Sequence, residues 1–172
     1  MMIERILNLY KKIFWSNEKY ARKIGVKIGV KCSIATRDFG SEPYLISIGD
    51  NVQLTNDVRF ATHGAGWVLR NKYPNFDCFG KIKVKDNVYI GNCALIMPGV
   101  IIGNNVIVGA GSVVTKSIPD GMIVAGNPAK IIGNINDYEL KVIPYNLETK
   151  KMNYEQKKKY LISLSEDMFI KK

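Results

Sequence analysis

The chain has 172 residues, of which 47% are hydrophobic and 23% charged, a balance typical of one globular domain with a sizeable core. No apolar run approaches the roughly 18 residues of a membrane-spanning helix, and the N-terminus lacks the uninterrupted apolar core of a signal peptide, so a cytoplasmic protein is expected. The formal net charge of +10 lies largely in lysine runs at the two ends, which are typical of solvated surface and do not predict nucleic-acid binding.

Residues 1–23 are predicted to form an amphipathic helix. Its apolar residues recur at helical spacing, at Ile3, Ile6, Leu7, Tyr10, Ile13 and Phe14. Such a helix either packs on the edge of the domain that follows or lies peripherally on an anionic membrane surface. Packing on the domain is favoured, because a repetitive β domain must cover its open edge.

Residues 24–133 carry a six-residue repeat. From Gly80 to Pro119 an aliphatic residue stands at every sixth place, at Val84, Ile90, Ile96, Ile102, Val108 and Val114. A small or apolar residue follows each of them four places later, at Val88, Ala94, Val100, Val106, Ser112 and Ile118. Gly, Asn and Asp fill many places between and tolerate the bent backbone of a corner. Each hexad is therefore a short strand and a turn, with no room for crossover helices, which predicts an all-β solenoid.

The repeat continues towards the N-terminus with two interruptions. The step of six is kept at Ile48, Leu54 and Phe60, after a weaker start at Ile28 and Ile34. Four whole hexads separate Phe60 from Val84, so the phase survives between them. The segment TRDFGSEPYLIS shifts the phase by two residues.

Residues 64–80 are predicted to leave the solenoid as a long loop. The segment lacks the repeat and contains Trp67, Tyr73, Phe76 and Phe79, which cannot all point inward. Long excursions from a regular scaffold often carry function, and these aromatic residues either help to form a binding site or pack against a neighbouring subunit. His63, the only histidine of the chain, stands immediately before this loop.

Residues 134–172 are predicted to form a helical tail. The segment NINDYELKVI predicts a helix that ends near Pro144, and a second helix begins near Asn153, where Gln156 three places later indicates a capping box. One apolar face of that helix comprises Tyr160, Leu161, Leu164 and Met168. The tail covers the last coil, reaches a neighbour or contributes to substrate binding, and the sequence leaves these alternatives open.

The hexads and the ending VGAGSVVTKSIPDGMIVAGNPAKII closely resemble the hexapeptide-repeat acyltransferases over roughly residues 24–133. The segment FATHGAGWVLRN is similar to one in the sugar O-acetyltransferases of capsule and lipopolysaccharide biosynthesis. The resemblance implies a left-handed parallel β-helix, although general connection rules favour right-handed crossovers. It also implies a homotrimer that transfers an acetyl group from acetyl-CoA directly to a sugar hydroxyl of a surface-polysaccharide intermediate.

By this resemblance His63 is the general base, a role that suits imidazole because it exchanges protons near neutral pH. Gly64 stands where the family's segment has an acidic residue, so the partner that orients the ring is open among Glu42, Asn56 and Asp57. Glu42, Asp57 and Trp67 are expected to contact the acceptor, a sugar that is free or linked to a nucleotide or a lipid.

The resemblance also implies a coenzyme A site in a groove between two subunits. The residues expected to line it are Asn92, Gly109, Ala110, Thr115 and Lys116, with Lys130 near the nucleotide phosphates. No metal is expected, because a zinc hydratase of the γ-carbonic anhydrase kind draws on several histidines and this chain has one. The remaining alternatives are an N-acetyltransferase that acts on an amino sugar or an antibiotic, and a non-catalytic solenoid scaffold.

Overall fold

The computed structural model describes residues 15–171, so most of the predicted N-terminal helix lies outside the described residues. The described residues divide into two compact units, of which the first ends at Ile135 and the second begins at Asn136. The first described helix, α1 (Asn17–Lys23), begins after Ser16, whose hydroxyl accepts a hydrogen bond of 3.2 Å from the backbone N–H of Lys19. This is the usual N-cap arrangement, and it fixes where the helix starts.

Short strands pass in turn through three sheets. Sheet A contains β1 (Lys27–Ile28), β3 (Ile46–Ile48), β6 (Ile82–Val84) and β9 (Ile101–Ile102). Sheet B contains β2 (Ser33–Ile34), β4 (Gln53–Leu54), β7 (Val88–Ile90), β10 (Val106–Val108), β12 (Met122–Ala125) and β13 (Lys130–Asn134). Sheet C contains β5 (Arg59–Phe60), β8 (Leu95–Ile96) and β11 (Val113–Val114). All these strands pair in parallel, except that β13 is antiparallel to β12.

Equivalent residues of successive coils lie directly beside one another. Leu54 pairs with Ile90, which pairs with Val108. The step from Ile90 to Val108 is three hexads, so a regular coil consists of three hexads and gives one strand to each sheet. We number the coils 1 to 5 by their strands in sheet B, namely β2, β4, β7, β10 and β12.

The aliphatic columns predicted from the hexads fill the interior of the coils. Ile90, Ile96 and Ile102 are fully buried, as are their equivalents Val84 and Val108. Burial of each such side chain stabilises the fold by about 1.5–3 kcal/mol. The predicted inward direction of the hexads is thereby confirmed, although Ile34 in coil 1 is only half-buried.

The corners between sheets A and B are held by a ladder of asparagines. The side-chain amide of Asn51 donates to Oδ1 of Asn87 at 2.8 Å, and that of Asn87 donates to Asn105 at 2.6 Å. All three have positive φ, between 52° and 56°, a conformation that asparagine tolerates better than most residues. Hydrogen bonds between side chains thus continue the strand pairing through the turns.

Both edges of the coil stack are covered. Helix α1 packs on β1 and β2, and Arg22 donates to the carbonyls of Ile28 and Gly29. At the other edge β13 supplies the antiparallel partner of β12. Covered edges leave fewer unpaired backbone groups that could recruit a foreign strand.

The second unit is helical. Helix α2 (Ile135–Val142) begins at the end of the first unit and stops before Pro144, as predicted. Helix α3 (Tyr154–Ile162) carries the predicted capping box, because Gln156 N–H donates to Asn153 Oδ1 at 2.9 Å and Asn153 N–H donates to Gln156 Oε1 at 3.1 Å. Among residues 15–171 there is no helix of the length and apolarity required to cross a membrane.

Candidate active site

His63 lies at the root of an arm that leaves the coils after sheet C. Phe60 pairs with Ile96, and Val84 pairs with Ile102. Ile96 and Ile102 are one hexad apart, whereas Phe60 and Val84 are four hexads apart. The arm therefore adds three hexads, the length of one coil. Its root is closed by a 2.8 Å hydrogen bond from Gly80 N–H to the Thr62 carbonyl. This bond brings the two ends of the arm side by side at one corner.

The arm is held together by its own contacts. Gly66 is buried against Phe76, and the guanidinium of Arg70 donates to the Phe76 carbonyl at 3.2 Å. The indole of Trp67, predicted to contact the acceptor, is 81% exposed and lies 5.8 Å from the same guanidinium. The arm thus exposes a large aromatic side chain to solvent.

The His63 ring is hydrogen-bonded to Glu42, one of the three orienting candidates. Nδ1 of His63 lies 2.8 Å from Oε2 of Glu42, and the Thr62 hydroxyl donates to the same oxygen. The Glu42 side chain is 14% exposed and that of His63 43% exposed. Phe79, which pairs with His63 across the root of the arm, packs its ring 5.7 Å from the imidazole at an angle of 62°. The ring is therefore held on two sides and remains open to solvent.

This contact fixes which ring nitrogen carries the proton. The hydrogen bonds from Thr62 and then from His63 lower the pKa of Glu42. An ionised carboxylate only accepts hydrogen bonds, so Nδ1 must be the protonated nitrogen when the ring is neutral. The lone pair then resides on Nε2, the nitrogen that can take a proton from a substrate.

Glu42 reaches His63 from the corner of coil 1. Gly40 lies against the carbonyl of Phe60, and the rings of Phe39 and Phe60 stack at 5.5 Å. The pairing of Ile28 with Ile48 makes this coil two residues longer than a regular one, and Glu42 lies in the lengthened corner. Sequence analysis did not find Thr62; its adjacency to His63 was the only signal.

Asp57, the other acid expected near the acceptor, lies at a different corner. It has a φ of 58° and borders a groove between sheets B and C that Arg37 and Arg59 also line. The same type of corner in coil 3 contains Asn92 and the exposed Cys93.

The residues predicted for coenzyme A lie on coils 3 to 5. Asn92 accepts a hydrogen bond of 2.8 Å from Gly111 N–H, which places Asn92 beside Ala110 in the next coil. Gly109 is half-buried and donates its N–H to Val124 at 2.8 Å, so this amide is already used by the fold.

Thr115 and Lys116 follow β11, as Ala61 and Thr62 follow β5 two coils earlier. Since neighbouring strands lie about 4.8 Å apart, Thr115 is about 10 Å from Ala61 along the stack. Lys130 begins β13, next to Ala129, whose N–H donates to Val113 at 2.8 Å. Thr115 and Lys116 thus lie at the same edge of sheet C as Thr62, the residue before His63.

Metal ligands do not cluster in the part of the chain that the structure describes: residues 15–171 contain no group of three His, Cys, Asp or Glu side chains able to hold an ion.

Comparison with known proteins gives consistent matches. The profile of the family described as "Bacterial transferase hexapeptide (six repeats)" matches residues 81–116. Protein CapG of Staphylococcus aureus is 50% identical over 151 residues, which cover 86% of this chain and 88% of CapG. Galactoside O-acetyltransferase of Escherichia coli K12 is 39% identical over 97 residues, which cover 56% of this chain and 47% of that enzyme, so the match spans about half of its length.

Among solved structures, a hexapeptide-repeat acetyltransferase of Vibrio cholerae O1 biovar eltor in complex with acetyl coenzyme A superposes with a TM-score of 0.54. It is 25% identical, and the superposition covers 69% of this chain and 76% of that chain.

Proposed function

Because the chain belongs to the hexapeptide-repeat acyltransferase family, we propose that it is an acetyl-CoA-dependent O-acetyltransferase that acetylates a sugar hydroxyl of a surface-polysaccharide intermediate. The observation that carries this proposal is the Glu42–His63 hydrogen bond at the root of an exposed arm. It leaves a basic Nε2 at a solvent-accessible corner, as general-base catalysis requires. We further infer that the coils are left-handed, as the family resemblance implies.

Acetyl-CoA is supported as the donor by the solved complex of the Vibrio relative and by the surface of this chain. The side chains of Asn92, Thr115, Lys116 and Lys130 are exposed, so a long anionic ligand can reach them. The two lysines supply positive charge of the kind that binds phosphate groups.

In the proposed reaction, Nε2 of His63 takes the proton of the acceptor hydroxyl while that oxygen attacks the thioester carbonyl. Glu42 keeps the other proton on Nδ1 and stabilises the positive charge that the ring gains. The carbon–sulfur bond then breaks, and the proton passes from the ring to the departing sulfur. The products are the acetylated sugar and free coenzyme A, and no acyl-enzyme is needed.

The sugar acceptor is supported by the match to a galactoside O-acetyltransferase and by the exposed aromatic surface of the arm. Trp67 is 81% exposed and can stack on the apolar face of a sugar ring. Trp67 and the neighbouring Val68 are large exposed side chains, and such side chains are typical of surfaces that are covered by a ligand or by another subunit. We infer a homotrimer in which coenzyme A held partly by one subunit meets His63 of the next.

The test is turnover with and without the imidazole. We expect His63→Ala to lower the transfer rate by about 10²- to 10⁴-fold, the usual contribution of a general base, while the affinity for coenzyme A stays unchanged. Release of free thiol would be followed with a panel of free, amino-substituted and nucleotide-linked sugars, and mass spectrometry would identify the acetylated product. Substantial turnover in His63→Ala would show that His63 is not the general base.

The donor side is tested separately. We expect Lys116→Gln and Lys130→Gln to raise KM for acetyl-CoA and to change kcat little, because a phosphate contact acts in both the ground state and the transition state. An acetylated amine as the product would favour the N-acetyltransferase alternative. Binding of acetyl-CoA without turnover on any acceptor would favour the scaffold.

A further inference from the structure

A basic groove runs along the outer face of sheet A, beginning beside the root of the arm. It has a volume of about 370 Å³, within the range of small-molecule sites. Three lysines line it, Lys27, Lys81 and Lys83, together with Ser47 and Tyr44. Its lining, drawn from residues 15–171, includes no acidic side chain. A concave surface with charges of one sign concentrates ligands of the opposite sign.

Strand register sets the spacing of these groups. Lys27 pairs with Ser47, and Ser47 pairs with Lys83, so the three residues form a row across neighbouring strands. The two lysine backbones are therefore about 10 Å apart, with the Ser47 hydroxyl between them. Lys81 lies two residues before Lys83 on the same face, about 7 Å away along the strand. Three lysine side chains and one hydroxyl thus start from neighbouring backbone positions on one face, a spacing that one or two phosphate groups can bridge.

The charges of these lysines are not neutralised by the protein. Within the described residues, Lys27, Lys81 and Lys83 form no salt bridge, whereas the nearby Lys85 pairs with Asp120 at 3.2 Å. Unpaired lysines attract anionic groups, and lysine is depleted in the cores of protein–protein interfaces, so the lysine-bearing part of this face favours an anionic ligand. The exposed Tyr44 and Ile101 add apolar surface to the lining.

The lining of the groove includes chain neighbours of the candidate active-site residues. Lys81 directly follows Gly80, whose N–H donates to Thr62, the residue before His63. On the opposite side, Glu42 immediately precedes the 3-10 helix Pro43–Leu45, and Tyr44 and Leu45 of that helix line the groove. One end of the groove therefore lies close to the Glu42–His63 pair along both chain segments.

We propose that this groove binds the phosphate groups of the acceptor, so that the substrate is a sugar linked to a diphosphate rather than a free sugar. This inference rests on the proposed function, in which His63 acts on the sugar itself. The diphosphate can belong to a nucleotide or to a lipid, and both offer the same chemistry to the lysines. The residues predicted for coenzyme A lie on coils 3 to 5 and around sheet C, so donor and acceptor would approach His63 from two different faces.

The first experiment measures anion binding without turnover. Inorganic pyrophosphate would be titrated calorimetrically into the full chain, into the double variant Lys27→Gln/Lys83→Gln, and into Lys23→Gln, an exposed lysine of α1 that does not line the groove. We expect the double variant to bind pyrophosphate at least about tenfold more weakly, and the control to match the wild type. Coenzyme A affinity should be equal in all three.

Two results would overturn the proposal. One is equal pyrophosphate binding by the double variant and the wild type. The other is a parallel loss of coenzyme A affinity in the double variant, which would assign the groove to the donor. All three lysines of the experiment are exposed, and circular dichroism would verify that each variant is folded.

The second experiment identifies the carrier and separates this inference from the proposed function. One sugar would be offered free, as its UDP ester and as a polyprenyl diphosphate ester, and kcat/KM would be compared. A higher kcat/KM for one of the esters than for the free sugar, lost in the double variant, would support the phosphate-binding groove and identify the carrier. Equal kcat/KM for the free sugar and both esters would overturn the proposal. If His63 is needed for transfer to the free sugar and pyrophosphate does not bind, the proposed function stands and the phosphate groove is rejected. If pyrophosphate binding depends on the lysines and no acceptor is acetylated, the groove stands and the proposed function is rejected.

Discussion

Replacing Glu42 with Gln keeps the shape of the lengthened corner and removes its negative charge. The Thr62 hydroxyl donates to the Glu42 oxygen that also faces His63, so in the variant it should hold the amide oxygen, not the NH₂ group, in that place. Nδ1 then stays protonated and the tautomer survives, but the positive ring formed during transfer loses its counter-charge. We therefore expect kcat to fall about tenfold in Glu42→Gln and about 100-fold in Glu42→Ala, the range known for side chains that orient a histidine at a metal site.

The separate effects on kcat and KM distinguish this role from a merely structural one. The pKa of Glu42 is lowered, so its charge is present throughout the neutral range in which activity is measured. Loss of that charge affects the positive ring that forms during transfer, so kcat should fall while KM for acetyl-CoA stays unchanged. Asp38→Asn, which removes a carboxylate paired with Arg59 at 3.4 Å in the same coil, serves as the control. A wild-type kcat in Glu42→Gln, or a fall in kcat that Asp38→Asn reproduces, would refute the reasoning.

Two further predictions concern stability. Ile90→Ala should lower the free energy of unfolding by about 2–5 kcal/mol, because the side chain is fully buried between coils, and urea unfolding would measure this; a loss under about 1 kcal/mol would contradict the packing. Hydrogen bonds from the Asn104 side chain and backbone, and then from Lys85, lower the pKa of Asp120. The charge of Asp120 therefore stabilises the fold at pH values above its unfolded-state pKa of about 3.9. This stabilisation is lost as the pH falls through the lower folded-state pKa. Asp120→Asn should therefore be less stable at pH 7 and lose less stability below about pH 4; an unchanged pH dependence of urea unfolding would argue against it.

The coils could be predicted from the sequence because the repeat encodes them locally. A hexad places one aliphatic residue inward and one corner residue after it, and the burial of Val84, Ile90 and Ile96 follows from position alone. The handedness of the coils does not follow from the repeat. General connection rules favour right-handed crossovers, and the expectation of left-handed coils came from the family resemblance.

The Glu42–His63 contact could be narrowed down but not predicted uniquely. The phase break of two residues marked an irregular corner, but the sequence does not say in which direction that corner projects. Three side chains therefore remained open as partners of His63. The structure brings Glu42 to the ring because the corner of coil 1 lies against the end of β5 in coil 2.

The basic groove was missed, although its signal was present. Lys27 and Lys83 each precede an inward aliphatic residue, Ile28 and Val84, so the hexad phase already puts both on the outer face of one sheet. They are far apart in sequence, and only the pairing of β1, β3 and β6 brings them together. Lys116 and Lys130, by contrast, stand in segments that resemble the family, and they were predicted for that reason.

The length of the arm leads to a last prediction. Because it adds three hexads, one whole coil, the sequence phase is the same on both sides of it and cannot distinguish an extruded arm from an additional coil. The structure identifies an arm whose ends meet, with Gly80 N–H 2.8 Å from the Thr62 carbonyl. Deletion of residues 63–80 should therefore rejoin coils 2 and 3 in register. Lys81 would be replaced by Gly, since Gly99 at the equivalent place has a φ of 80°.

We expect this deletion variant to be inactive, because it lacks His63, and yet to unfold cooperatively with its β-sheet circular dichroism retained. The matched control removes residues 63–81. This deletion is one residue longer and puts the following inward residues on the outer face, where Ile82 and Val84 would be exposed. The control should lose cooperative unfolding or aggregate. If both deletions unfold alike, the arm is an integral part of the coil stack and not an insertion that positions His63 on a scaffold able to fold without it.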